Sequence, residues 1–202
     1  MGGENLSVRC FERAFIEDLK NILTKRERKI ITHPPFTHAA VLIPLYEKER
    51  NCHILFTKRT QQVRHHKGQI SFPGGVFDEG DGDFKKTALR EAREEIGLNE
   101  NDAQIIGVLD DIVTGTQFIV TPFVGLIPYP YPFQLSEIEI EELIEVPLAS
   151  LFDKSCFSER VIDEGDQKRV VYTYQYGKHA IWGATALILK QLFELLPSPR
   201  TN

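Results

Sequence analysis

The sequence predicts an α/β (α+β) fold in which strands flank one central helix and a further helix stands at each end of the chain. Three observations predict it. Thr87 to Leu98, TALREAREEIGL, has its apolar residues at helical spacing and closes on Gly97, placed where a left-handed cap belongs. Short apolar runs bounded by charged or glycine-containing turns lie on both sides of it. The first and last fifty residues each hold an apolar stripe of helical period.

Taken in order, Ser7 to about Leu23 is an amphipathic helix, with Ser7 as N-cap and Val8, Phe11, Phe15, Leu19, Ile22 and Leu23 along one face. It reads as a packing extension over the main domain. The basic run Lys25 to Lys29 and Pro34-Pro35 form a linker, so residues 1–36 are an extension and 37–196 the domain proper, with 197–202 a tail. His38 to Tyr46 is a buried strand, and Cys52 to Lys58 pairs with it through the charged turn Glu47 to Asn51. After the central helix, Gln104 to Val113 and Gln117 to Pro128 form a hairpin around Thr114-Gly115-Thr116. The tip and the acids Asp110 and Asp111 are candidates to border a site. Tyr129 to Phe133, YPYPF, is an extended loop whose aromatics fill a groove or hold a purine by stacking, filling being the preferred reading. Glu137 to Pro147 enters a strand, Val161 to Tyr176 is a hairpin around Asp163 to Lys168, and His179 to Leu196 is a closing helix packed on the sheet.

The chain of 202 residues is 42% apolar and 26% charged, ordinary for a globular protein. Its net charge of −5 argues against general nucleic-acid binding. No apolar run approaches the roughly 20 residues of a membrane span, and MGGENLSVRC has no secretory apolar core. Cys10, Cys52 and Cys156 lack metal-ligand spacing and read as reduced thiols in a cytoplasmic protein.

The chemistry concentrates on the central helix. At about 100° per residue, Glu91, Glu94 and Glu95 share one narrow face, away from Leu89, Ala92 and Ile96. Like charges at this spacing repel by roughly 0.2–0.5 kcal/mol per pair. A divalent cation reverses that sign, and carboxylate oxygens suit Mg²⁺ or Mn²⁺. Upstream, Phe72-Pro73-Gly74-Gly75 precedes the acidic loop VFDEGDGD, and paired glycines let a backbone approach a phosphate or a metal closely.

The glycine turn, the acidic loop and REAREEIGL together resemble the Nudix box: a Gly, five residues, a Glu, seven residues, then Arg-Glu-apolar-x-Glu-Glu-x-Gly-apolar. Arg90, Glu91, Ala92, Glu94, Glu95, Gly97 and Leu98 match its second half. Its first half departs: Gly82 stands where a glutamate is expected and Val76 where the leading glycine is. One extra loop residue brings Gly75 into register and leaves Asp81 or Asp83 to replace the carboxylate. Leu55 to Gly75, LFTKRTQQVRHHKGQISFPGG, further resembles the stretch upstream of the box in coenzyme A diphosphatases of that superfamily. Leu55, Thr57, Arg59, Arg64, Gly68 and Phe72 to Gly75 agree, while Phe56 and Thr60 depart mildly.

The resemblance covers roughly residues 37–196 and implies an α/β/α sandwich around a mixed sheet. It implies metal-dependent hydrolysis of coenzyme A or its thioesters to 3′,5′-ADP and 4′-phosphopantetheine. The rivals are another nucleoside diphosphate such as ADP-ribose or NADH, and a non-catalytic binding domain. Glu91, Glu94 and Glu95, with Gly75, are the expected ligands of Mg²⁺ or Mn²⁺, and Arg90 flanks them to orient a glutamate. The segment Lys58 to Lys67 holds four Lys or Arg and no acid; Arg59, Arg64 and Lys67, with Gly74 and Gly75, are the expected contacts to substrate phosphates. His65 and His66 read as surface or structural residues. Glu94, Glu139 and Glu142 remain open as general base; Glu139, Glu142 and Asp81 are the candidates for an additional ligand. The expected partner is the small-molecule substrate, with neither nucleic acid nor membrane, and a homodimer through the outer helices is conceivable.

Overall fold

The computed structural model describes residues 13–62, 67–164 and 167–196. Its strands are β1 (Thr37–Lys48), β2 (Asn51–Arg59), β3 (Ile70–Ser71), β4 (Gly74–Val76), β5 (Gln104–Val108), β6 (Ile112–Val113), β7 (Phe118–Leu126), β8 (Ile140–Pro147), β9 (Phe157–Glu164), β10 (Gln167–Tyr176) and β11 (His179–Trp182). Its helices are α1 (Arg13–Lys25), α2 (Phe84–Ile96) and α3 (Ala184–Leu195). Among the described residues β1 to β8 form one mixed sheet, in which β1 runs parallel to β7 and antiparallel to β2 and β4. β9, β10 and β11 form a second, antiparallel sheet.

The main sheet is buried on both faces. Leu42, Tyr46 and Leu55 pack with Ala88, Ala92 and Ile96 of α2 on one side. Ile43, Leu45, Ile54 and Phe56 pack with α1, α3 and the second sheet on the other. Two-sided burial explains why HAAVLIPLY is almost wholly apolar instead of alternating. The β1–β2 connection is a two-residue turn in which Glu49 and Arg50 both take positive φ (53° and 63°), the handedness that matches the twist of a hairpin.

Four sequence expectations shift. The central helix starts at Phe84, one turn early, because the Asp83 side chain accepts the Lys86 N–H as N-cap; Gly97 closes it at φ 70°. The closing helix starts only at Ala184: His179–Trp182 is instead a strand paired with Thr173–Tyr176, ended by Gly183 at φ 67°. Ile181 alone of those four residues is fully enclosed, so the segment pays no penalty for lacking a helical stripe. The long strand expected from Gln104 is interrupted at Leu109–Asp111, where the chain turns its acids toward the linker. Arg26 pairs with Asp110 and Arg28 with Asp111, while Lys29 N–H donates to Asp110 (3.0 Å) and Ile31 N–H to Asp111 (3.0 Å). Asp110 and Asp111 thus anchor the linker and do not border the site.

Helix α1 is part of the core. Leu19 and Leu23 are enclosed, and a side chain at Gly107 would collide with Leu23. Ser7, Val8 and Phe11 lie outside the described residues. Cys156 is a free thiol as expected, whereas Cys52 is disulfide-bonded; Cys10 lies outside the described residues. No described helix is long and apolar enough to cross a membrane.

Candidate active site

The site lies where β4 and the end of β2 meet the last two turns of α2. Glu95 is buried, 2% exposed, between Arg59 Nη1 (3.0 Å) and the Gly74 N–H (3.3 Å). Burial pushes its carboxyl up to about 8, against the opposing pull of Arg59 and Gly74, with Glu91 and Glu139 adding repulsion. Glu91 is pressed against Gly75 so closely that a Cβ there would fall inside its carboxylate. Burial raises its carboxyl too, Arg90 opposes this, and Glu94 and Glu139 raise it further. Glu94 is half exposed and accepts from Arg90 Nη1 at 3.1 Å.

Arg90 is an organising side chain. Its Nε and Nη2 grip the two Asp81 oxygens at 2.7 and 3.1 Å, Nη2 also donates to Val76 O (3.1 Å), and Nη1 reaches Glu91 at 2.8 Å and Glu94. Such bidentate contact fixes the guanidinium plane. Arg90, expected to orient a glutamate, thus contacts both Glu91 and Glu94.

Asp81, expected as an additional ligand, has its oxygens occupied by Arg90, by Thr87 Oγ1 (2.8 Å) and by Asp78 N–H (3.1 Å). The Arg90 bond holds its carboxyl down, to about 2. Between the two candidates for the missing carboxylate of the box, Asp81 anchors the arginine and Asp83 caps the helix.

Of the two glutamates left open on the later segment, the structure brings in one. Glu139 Oε2 lies 3.4 Å from Arg59 Nη2, so Arg59 bridges Glu95 and Glu139. Glu142 does not join them. It belongs to the face of β8 that also carries the core residues Ile144 and Val146, and its Oε1 stands 3.8 Å from His179 Nε2 of β11. Two-residue alternation along a strand decides this.

Arg59 itself is placed on carboxylates, not free for phosphate. Lys67 is exposed in the return to β3, where Gly68 N–H donates to Arg59 O (3.1 Å). Arg64, His65 and His66 lie outside the described residues. An open groove of about 540 Å³, lined by Val76, Phe77, Asp78, Gly80, Asp81, Arg90 and Glu91, gives access from the loop side. A larger groove beside Glu47, Glu49, Asp102 and Tyr129, at the other end of β1, has no basic lining residue to receive phosphate. The YPYPF aromatics fill space: Tyr129 stacks on Tyr46 (centroids 4.9 Å apart), and Tyr131 OH donates to Asp102 (2.9 Å) and accepts from Asn99 N–H.

Among the described residues no three His, Cys, Asp or Glu side chains converge as a finished metal cage. Arg90 stands between Glu91 and Glu94, and Arg59 between Glu95 and Glu139, supplying the countercharge. The donors nevertheless fit Mg²⁺ or Mn²⁺: all are hard oxygens, they repel one another, and Glu95 is buried and Glu91 partly buried at a cost that a cation offsets. Sequence reasoning missed Thr60 and Thr87, whose hydroxyls fix the Glu139 segment and Asp81; no pattern in one sequence marks a threonine as a spacer of acids.

A NUDIX domain model matches residues 36–153. A protein of Photorhabdus laumondii named "Uncharacterized Nudix hydrolase NudL" is 38% identical over 155 residues, 77% of this chain and 82% of that one. Its counterpart in Pectobacterium atrosepticum is 39% identical over 158 residues, 76% and 80% of the two chains. The fold is shared with a MutT/nudix family protein from Enterococcus faecalis (TM-score 0.52, 11% identity, 89% of this chain and 73% of that one). It is shared too with a NUDIX hydrolase from Alicyclobacillus acidocaldarius (TM-score 0.52, 16% identity, 84% and 95%). With the acidic helix, its arginine clamp and the glycine turn assembled in one place, these matches establish that the chain belongs to the Nudix hydrolase family and is a pyrophosphohydrolase.

Proposed function

We propose that the substrate is coenzyme A or one of its thioesters, cleaved at the diphosphate to 3′,5′-ADP and 4′-(acyl)phosphopantetheine. The supporting observation is that the upstream pattern and the box converge: Arg59 meets Glu95, Gly74 N–H meets Glu95, and Gly75 meets Glu91. Arg59, Gly74 and Gly75 of the upstream pattern therefore meet Glu91 and Glu95 of the box in one place.

Glu91, Glu94 and Glu95 are assigned to hold Mg²⁺ or Mn²⁺, with Gly75 alongside. When bound, such an ion neutralises phosphate oxygens and acidifies a coordinated water. The protein supplies positioning and charge. Arg90, anchored on Asp81, keeps Glu91 and Glu94 aligned. Glu139, half exposed and beside Glu95, is the assigned general base: it takes the proton of the attacking water as the phosphorus–oxygen bond to the leaving phosphate breaks. Arg64 and Lys67 are assigned to the substrate's phosphates, while Arg59, expected there too, is assigned to hold Glu95 and Glu139.

One observation favours a second reading. With Arg59 held by Glu95 and Glu139, the basic segment has one arginine fewer for a 3′-phosphate, which suits ADP-ribose or NADH. Incubating the purified protein with coenzyme A, dephospho-coenzyme A, ADP-ribose and NADH, each with Mg²⁺ or Mn²⁺, and separating the products by chromatography decides between them. The expected result is 3′,5′-ADP from coenzyme A at a rate above the others; its absence under both metals rejects the substrate assignment. Glu95→Gln should cost at least about 100-fold in kcat with the fold retained.

A further inference from the structure

We propose that Thr60 is a positioning residue that sets the general base by holding the Glu139 segment against the catalytic helix. This rests on the assignment of Glu139 as base. Thr60 is buried at the end of β2, next to Arg59 in sequence. Its hydroxyl donates to Ile138 O at 2.7 Å, and its own N–H donates to Glu139 O at 2.8 Å. Arg59 holds the Glu139 carboxylate from the other side at 3.4 Å. Two consecutive residues thus grip Glu139 by main chain and by side chain.

The far end of the same segment is tied to α2. Gln134 N–H donates to Ile96 O and Ser136 N–H to Glu95 O, each at 3.0 Å, while the Glu139 and Ile140 N–H groups both donate to Ser136 O at 2.9 and 2.8 Å. The tight turn at 136–140 therefore hangs between the carbonyl of Glu95 and the hydroxyl of Thr60. Its outer face is unsupported: Ile138 is 72% exposed. The hydroxyl is the side-chain bond that reaches the main chain at Ile138, beside Glu139, so losing it loosens the turn and lets the distance of Glu139 from Glu91 and Glu95 vary. An error of about 1 Å in a reacting group costs as much as 100-fold in rate.

The test is Thr60→Val, which keeps the shape and deletes the hydroxyl, with Thr60→Ser as the rescue and Thr60→Ala in its place should the valine variant not fold. Steady-state turnover of coenzyme A with Mn²⁺ is measured, or of ADP-ribose if the substrate panel selects it, together with amide hydrogen exchange of residues 136–140. The expected result is a loss of about tenfold in kcat with KM within about twofold, faster exchange at Glu139 and Ile140, recovery of both in Thr60→Ser, and a Thr60→Val/Glu139→Gln double variant no slower than Glu139→Gln alone. Unchanged exchange or unchanged kcat in Thr60→Val overturns the proposal, as do losses that multiply in the double variant. Full activity of Glu139→Gln overturns it together with the base assignment, while turnover of coenzyme A by the unmodified protein leaves the substrate assignment standing.

Discussion

At the scale of single residues, the candidate active site is a set of acids whose neighbours set their charge and exposure. Glu91, Glu94 and Glu95 lie on one helix, yet Glu95 is buried, Glu91 is enclosed by Gly75 and Glu94 is half exposed, so they are electrostatically unlike. Asp81 shows how a partner reassigns a carboxylate. Its folded pKa, about 2, lies below the unfolded value of about 3.9. A depressed carboxyl stabilises the fold fully above the unfolded value and loses that contribution as pH falls toward the folded one. The Asp81→Asn variant should therefore melt below the unmodified protein at pH 7, and the gap should narrow between about pH 4 and about pH 2. Thermal melts at stepped pH measure it; a gap that widens on acidification would contradict the assignment. The same variant frees Arg90 and should lower kcat at neutral pH.

At the scale of elements, a glycine turn facing a helix makes the site. Gly74 is enclosed by Ala40 O and Val41 of β1, and Gly75 by the Glu91 carboxylate. Gly75→Ala should leave the melting temperature within a few degrees but reduce kcat by about 100-fold, since Glu91 must move to admit the methyl. Steady-state kinetics beside a thermal melt checks both halves. The box helix, its glycine cap and its acidic face were legible in the sequence because helical period and capping are local rules. The strand at His179–Trp182 was not: its four residues have no helical stripe of their own, and what makes them a strand is hydrogen bonding to β10.

At the scale of the whole molecule, α1 and the linker act as a clasp. Leu19 and Leu23 enter the core, while Arg26 and Arg28 neutralise Asp110 and the buried Asp111. Leu23→Ala should cost about 2–5 kcal/mol of unfolding free energy, the range for emptying a buried leucine site. Urea denaturation measures it. Removing residues 1–35 should do more, leaving Asp111 buried without its arginine and Gly107 beside an empty space. The family model begins at residue 36, but the hydrophobic core reaches back to α1 and forward to α3.

The sequence by itself determined the family, the acidic helix face, the glycine turn and most strands, because each is written in local spacing or in residues at fixed offsets. Only the tertiary structure decided which of Asp81 and Asp83 holds Arg90, that Glu139 and not Glu142 meets the cluster, and that Arg59 stands on carboxylates. Those outcomes depend on which face of a strand a side chain occupies and on what lies across from it, and pairing partners many residues apart set both.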